Sequence, residues 1–326
     1  MRRHRHEEPR QERTLSVWFS SSSQRRLGSL PPTMSSHKCR FLAATAMAAL
    51  CVGALASGCG GGGGAAAQSG QKKATEAPFD PRNFANPAIG ANTWLPLRPG
   101  YQWVREGGTD VGHRRVPHRV TRTVTKVSRA VNGVRTVAVL DQDVDAGQIA
   151  QQSLDYLAQD RQGNVWNLGG YTEEYEGGRF VSVRDAWLAG INGGRAGILM
   201  QADPRTGTPP YSIARPPGAD PDVAQVVKTG QSQCVPFHCF SGVLVIREGK
   251  ASAPDNEFKY YAAGVGQILN TPRSASKHHD VERLVNLRQL SPRGLAELTA
   301  EALRLDRHAA VVKRDVFGRG PTATTR

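Results

Sequence analysis

The sequence lacks the short signatures that mark most catalysts and nucleotide-binding folds. It contains no G-x-S-x-G elbow, no H-E-x-x-H pair, no phosphate-cradling P-loop and no dinucleotide fingerprint. An enzyme is thereby less expected but not excluded, since catalytic groups can be assembled in space from distant positions. Cysteine occurs only 5 times and aromatic residues make up 6% of the chain. No CxxC pair occurs, and the four ligands of a structural zinc site are not evident in the sequence. No basic stripe with interleaved aromatics is present, so the net charge of +14 does not read as a nucleic-acid footprint. Nor is there an internal repeat. No cofactor and no bound metal are expected.

The apolar run from Phe41 to Ala56 is shorter than the ~20 residues of a spanning helix. It carries no charge and ends in Ser57 and Gly58. His37, Lys38 and Arg40 precede it, the order of a cleavable secretory leader when translation starts at Met34. Leu55-Ala56-Ser57-Gly58-Cys59 resembles the lipobox of bacterial lipoproteins, with Leu one place further upstream than in its commonest form. The resemblance implies a lipid on Cys59 and an extracytoplasmic protein anchored to the cell membrane. Residues 1–33 fit neither a leader nor a packed core and read as an over-extended or disordered start.

Processing at Cys59 would remove Cys39 and Cys51 and leave Cys234 and Cys239 in an oxidising compartment, where a disulfide is the default. The alternative is a metal site that recruits His238 between them. Positions 1–58 hold 9 of the 42 basic and 3 of the 28 acidic side chains, leaving 33 against 25. That moderate surplus suits anionic lipid or cell-wall polymer better than nucleic acid.

Gly60 to Gly64 and the polar residues that follow make residues 59–78 a flexible tether. Residues 79–290 read as one β-rich domain, 291–313 as a helix and 314–326 as a disordered tail. The strongest local signal is a hairpin. β-Branched residues from Val120 to Val127 and from Val134 to Leu140 flank Asn132-Gly133, a type I′ turn pair. A second hairpin joins Ile149–Gln159 to Asn164–Tyr171, and a third bends at Gly177-Gly178. Glycines from Gly190 and prolines up to Pro221 predict an irregular region or lid, with pairing resuming at Phe240–Glu248, Glu257–Ala263 and Val281–Leu290. Ser291-Pro292 signals a helix start, and Leu295, Leu298, Ala302 and Leu305 recur at helical spacing to about residue 308. The expected fold is mainly β: an antiparallel curled sheet, half-barrel or lipocalin-like, with a C-terminal amphipathic helix covering an edge or face.

Three motifs occur in order: Leu95-Pro96-Leu97-Arg98-Pro99-Gly100 with Trp103; Ala158-Gln159-Asp160 with Gly163-Asn164-Val165-Trp166; and Lys259-Tyr260-Tyr261-Ala262 with Gly264-Val265-Gly266. In these the chain resembles a family of bacterial secreted or lipid-anchored proteins of uncharacterised activity. Its outer motifs are also similar to those of half-barrel envelope lipoproteins that carry lipids or lipoproteins between membranes. The chain departs from the family at Asn167-Leu168-Gly169-Gly170, where an aromatic residue and Glu are expected, and at Cys234 and Cys239, which look like local additions.

Gln159, Asp160, Asn164 and Trp166 could form a polar constellation at a pocket rim, or Asp160 and Asn164 could simply close a turn. Tyr156, Trp166, Trp187, Met200, Tyr260 and Tyr261 are expected on the concave face, as core or as pocket wall. Asp141, Asp143 and Asp145 alternate on one strand face. They fail the EF-hand pattern because Ala146 replaces its glycine, and they read as a solvated strand end. His278, His279 and Asp280 sit in an exposed-looking turn. The leading functional expectation is a non-catalytic envelope lipoprotein with an amphipathic or hydrophobic small molecule in a dry, aromatic-lined cavity of at least ~300 Å³. A module docking cell-wall polymer or a partner protein, and a hydrolase with an unrecognised site, are the alternatives.

Overall fold

In the computed structural model, residues 74–84, 91–111, 113–252, 257–272 and 281–325 are described. Cys59, the leader, most of the tether and the His278-His279-Asp280 cluster lie outside them. Thirteen strands lead to one helix and a two-residue strand: β1 (Tyr101–Val111), β2 (Arg114–Val131), β3 (Val134–Asp145), β4 (Gln148–Gln159), β5 (Val165–Glu176), β6 (Arg179–Leu188), β7 (Arg195–Met200), β8 (Tyr211–Arg215), β9 (Asp222–Cys234), β10 (Cys239–Lys250), β11 (Glu257–Ala262), β12 (Gly266–Pro272), β13 (Val281–Gln289), α1 (Pro292–Val312) and β14 (Thr324–Thr325).

The sheet is a closed antiparallel barrel, not the open half-barrel expected. β1 pairs with β13 from Tyr101↔Gln289 to Gly108↔Val281 and on its other edge with β2 from Gln102↔Thr123 to Val111↔Arg114. The ring therefore contains twelve strands, with β6 attached to β5 and β14 attached to β2 outside it. β1 is the stave the sequence hides. Gly107, Gly108 and Asp110 dilute its β signal, and without it the two ends of the sheet have nothing to join them.

The barrel is filled from within. Trp103, Val124, Val139, Leu157, Met200 and Leu244 belong to one buried cluster contributed by strands around the ring. Leu95 and Leu97 enter that cluster from the segment ahead of β1, and Val235 enters from the β9–β10 turn. Cys234 and Cys239 are disulfide-bonded across that turn. Outward positions carry Glu106, Arg119, Arg247 and Arg283, with Arg119 and Glu106 ion-paired at 2.5 Å. No helix among the described residues is long and apolar enough to cross a membrane.

A second buried cluster lies between the outer face of β2–β5 and α1. β2 supplies it by changing sides: its register with β3 shifts between Val124 and Ser128, so Val124 packs in the first cluster and Val127 and Val131 in the second. Thr125 stabilises the bulge, its hydroxyl donating to the Ala138 carbonyl at 2.7 Å and accepting from Val127 N at 3.1 Å. At the far end Asn132 (φ 47°) and Gly133 (φ 81°) form the left-handed pair that Asn-Gly favours.

Ser291 caps α1 by accepting from Gly294 N at 3.2 Å, with Pro292 at the first turn. Leu295, Thr299, Ala302, Leu305, Asp306 and Ala309 form its buried face.

Three further expectations are corrected. The glycine- and proline-rich middle is not an irregular lid, because β7 and β8 lie in it and β9 follows directly. These strands are short or offset in register, and their turns absorb the prolines. The tail is not disordered: Val316 and Phe317 are buried, and Thr324 and Thr325 pair with Ser128 and Val127. The tether ends before residue 78, since Thr75 bridges Tyr211 and Ala77 packs on the outer cluster.

Candidate functional site

Inward-facing residues change character along the strands at a common height. Reading each strand in its inward phase gives Trp103 then Arg105, Val124 then Arg122, Val139 then Asp141, Leu157 then Asp155, Ile246 then Glu248, and Tyr261 then Lys259. Strand register keeps these levels aligned: Arg122 is opposite Asp141, Lys259 opposite Asn270, and Asn270 opposite Glu282. One half of the lumen is consequently an apolar plug and the other a layer of buried charge.

The charges are paired across strands. Arg122 donates to Asp155 Oδ2 at 2.9 Å and to Asp141. Arg105 Nε donates to Glu282 Oε2 at 2.9 Å. Lys259 Nζ lies 2.7 Å from Glu248 Oε2 and 3.0 Å from Glu257 Oε1, and the Tyr261 hydroxyl donates to Glu248 Oε1 at 3.2 Å. His118 Nδ1 lies 2.6 Å from Asp145 Oδ1, with its Nε2 3.8 Å from Glu282 Oε1. Asp141, Asp143 and Asp145 are thus not a solvated strand end. They share one face as the alternation required, but that face looks into the barrel.

A cavity of about 200 Å³ lies at the seam between the halves. Apolar side chains (Leu95, Trp103, Leu199 and Ile213) and charged ones (Arg105, Arg122, Asp155, Glu248 and Lys259) both line it. Asn167, Tyr261 and Gln267 complete it. The cavity is therefore smaller than the dry aromatic pocket expected, and half of its wall is ionic. Arg105 Nη1, Asp141 Oδ1 and Asn270 Oδ1 are buried without a hydrogen-bond partner.

Burial works against the ions, and their partners decide the outcome. Burial raises the Asp143 carboxyl to about 7, reinforced by Asp141 and Glu282. Burial also raises Asp141, to about 6, against the pull of Arg122. For Glu282 burial is more than offset by Arg105 and His118, which hold it at about 2. Burial disfavours the His118 cation, but Glu282 and Asp145 outweigh it and hold the imidazolium to about 9.

A pH profile follows. The folded pKa of His118 lies above its ordinary 6.5, so its contribution is complete below pH 6.5 and is lost as pH rises to 9, on the order of 3 kcal/mol. Asp143 acts in the same direction at lower pH, because a carboxyl raised from 3.8 to about 7 makes its ionisation costly to the folded state. Glu282 acts oppositely, its contribution being lost only as pH falls from 4.5 towards 2. The melting temperature is expected to decline between pH 6.5 and 9, and calorimetry of His118→Gln should show that decline largely removed.

The residues singled out from the sequence do not converge on the cavity. Tyr261 lines it, and Met200 is buried in the apolar plug. Tyr156, Trp166 and Trp187 point outward into the cluster under α1, with Trp166 5.7 Å from both Phe79 and Phe84. Tyr260 lines a shallow outer depression with Phe258 and Val245.

Asp160 and Asn164 close the β4–β5 turn, the simpler of the two readings of the polar constellation, and Gln159 ties it to the segment ahead of β1. Asp160 accepts from Asn164 N at 2.8 Å, Asn164 Nδ2 at 2.9 Å and Trp166 Nε1 at 2.8 Å. Gln159 Oε1 accepts from Asn92 N at 3.3 Å. Asn92 Oδ1 in turn accepts from Trp94 N and Leu95 N at 2.9 and 2.8 Å, turning Leu95 into the lumen. The other two motifs meet at the same end: Trp103 Nε1 donates to Val265 O at 2.6 Å, and any side chain at Gly266 (φ 105°) would collide with the Trp103 ring.

No protein-family model matches the chain, and no curated protein is similar to it. Two solved structures are similar over part of it. One, from Bacteroides fragilis, is assigned as an exported protein with a YmcC-like fold; it is 10% identical with a TM-score of 0.29, and the match covers 61% of this chain and all of that one. The other, assigned as a lipoprotein of Parabacteroides distasonis, is 12% identical with a TM-score of 0.30, over 60% of this chain and 99% of that one. Likeness at this level does not define the architecture, which rests on the strand pairing described above: a closed antiparallel barrel with an apolar and an ionic half.

Proposed function

We propose that the protein is a non-catalytic envelope lipoprotein, anchored through Cys59 outside the cytoplasm, whose barrel holds one small amphipathic molecule at the seam of its lumen. The leader and the lipobox-like Leu55–Cys59 segment support the location. The observation that carries the ligand reading is the mixed wall of the cavity, in which Leu95, Trp103, Leu199 and Ile213 occur together with Arg105, Arg122 and Lys259. A purely hydrophobic guest would leave the ionic wall without a partner, and a purely polar one would leave the apolar wall wet.

A buried ion network favours this reading because it is an inefficient way to fill a barrel; apolar side chains of similar volume often stabilise as well or better. Native mass spectrometry of the protein made in its own host should detect one small molecule per chain, released on unfolding. A bare polypeptide mass in every preparation would contradict the ligand. Metabolic labelling with an alkyne fatty acid should mark the wild-type protein and leave Cys59→Ala unlabelled; equal labelling of both would contradict the anchor.

A further inference from the structure

We infer that the exposed apolar patch where β6 meets the C-terminal turn of α1 docks on the surface of an anionic phospholipid bilayer. The inference is independent of any guest in the lumen and rests only on the proposed envelope location and the anchor at Cys59. Among the described residues six large apolar side chains are exposed, and four of them, Phe180, Val181, Val311 and Val312, gather here. The other two, Val111 and Phe237, stand singly at the end of β1 and in the β9–β10 turn, as scattered surface hydrophobics do on most proteins.

The fold brings the four together. Phe180 pairs with Tyr175 across the β5–β6 hairpin, and its ring lies edge-on to the His308 ring with centroids 4.8 Å apart. Glu173 holds His308 in that place, with Nδ1 2.6 Å from Oε1. Val311 and Val312 follow His308 by three and four residues and therefore lie on the same side of the helix. Val311 is 62% exposed.

The rim is basic. Arg179 precedes Phe180, Arg307 stands one turn before Val311, and Lys313 and Arg314 follow Val312. No described residue forms a hydrogen bond or ion pair with these four side chains, whereas Arg293 and Arg304 on the same helix are paired with Glu297 and Glu301. Glu176 and Asp315 are the exposed acidic neighbours, so the balance of the rim stays positive.

A bilayer surface satisfies both parts of the patch, offering anionic head groups to the rim and hydrocarbon to its centre. An anionic wall polymer would pair with the cations and leave the four apolar side chains wet. A second copy of the chain would bring two positive rims face to face. The bilayer is also within reach on this side of the barrel, because Ala77 and Phe79 pack on the same outer cluster that α1 covers. From Trp166, which Phe79 touches, to Tyr175 beside Phe180, β5 rises about 30 Å. The 16 peptide links from Cys59 to Thr75 extend to at most about 55 Å.

The test uses the mature, acylated protein purified from its host and reconstituted into vesicles. Its own cysteines are then blocked by acylation or by the Cys234–Cys239 disulfide, so Val311→Cys takes a nitroxide label at one place. Thr229→Cys, exposed on β9 across the ring from α1, is the control. In vesicles containing phosphatidylglycerol the Val311→Cys label is expected to be shielded from a water-soluble relaxing agent, and in pure phosphatidylcholine to lose that shielding. The Thr229→Cys label should stay accessible in both. Arg307→Gln and Arg314→Gln should each lower the ratio of docked to free protein about fivefold, the contribution of one basic side chain near an anionic surface.

Equal accessibility of the two labels in phosphatidylglycerol vesicles would overturn the inference and leave the anchor standing. Equal shielding of Val311→Cys in both lipids would overturn the assignment to an anionic surface, and so would shielding that comes with spin–spin broadening, the mark of a second copy. A host-made chain that carries no acyl group would defeat the anchor and this inference together.

Discussion

Asp306→Ala is expected to lower the unfolding free energy by about 3–5 kcal/mol, the range for removing one partner of a buried ion pair. Asp306 sits on the buried face of α1 at 2% exposure. Its Oδ1 accepts from Arg129 Nη1 at 2.7 Å and from the Tyr156 hydroxyl at 2.6 Å. Arg129 is 1% exposed and gives its remaining terminal nitrogen to the Phe317 carbonyl, with the Phe317 ring 5.1 Å from its guanidinium carbon. Without Asp306 a buried cation and a buried phenol would both lose their acceptor, which is why the effect exceeds that of an ordinary surface pair. Arg129→Met combined with Asp306→Leu should recover most of the loss, because no unpaired charge remains. Urea denaturation of the two variants measures both effects; a loss below about 1 kcal/mol in Asp306→Ala, the scale of a surface salt bridge, would show that α1 is not locked to the barrel through this pair.

Arg122→Ala is expected to cost a similar amount at pH 7.5, about 3–5 kcal/mol, for a reason that lies inside the barrel. Arg122 neutralises both Asp141 and Asp155, and its removal leaves two carboxylates facing one another. Asp141 already holds its proton to about 6, and the loss of Arg122 raises it further. The destabilisation should therefore shrink when the same denaturation is repeated at pH 5, where Asp141 can be neutral. An equal loss at both pH values would mean that packing of the Arg122 stem, not its charge, is what matters. Replacing Arg122, Asp141 and Asp155 together by Leu should recover stability but eliminate binding at the seam, separating what the ions do for the fold from what they do for the ligand.

Much of the barrel was legible because local and global signals agreed. Asn132-Gly133 between β-branched runs gave the β2–β3 hairpin, and Ser291-Pro292 with its helical spacing gave α1. Closure was not legible, because it depends on β1, whose Gly107 and Gly108 are tolerated only where they pair on both edges with β13 and β2. The candidate site was missed for a related reason. Asp141 reads as a surface charge when taken alone, yet it and Arg122 each stand two residues from an inward apolar neighbour, Val139 and Val124. A charge that keeps the phase of buried residues is a lumen charge, and comparing phases across strands would have found the whole layer. Of the two readings of the Gln159, Asp160 and Asn164 cluster, turn closure is the one found: Asp160 and Asn164 bond each other, Trp166 and Ala202, and Gln159 ties that hairpin to Asn92.

Crystallography of the protein purified from its own host tests the central claim most directly. The account predicts a continuous ring of twelve strands and, at the seam between Trp103 and Arg122, density for one small molecule with its polar end towards the charges. A gap between β1 and β2, or a lumen in which Arg105, Arg122 and Lys259 contact only water and one another, would contradict it.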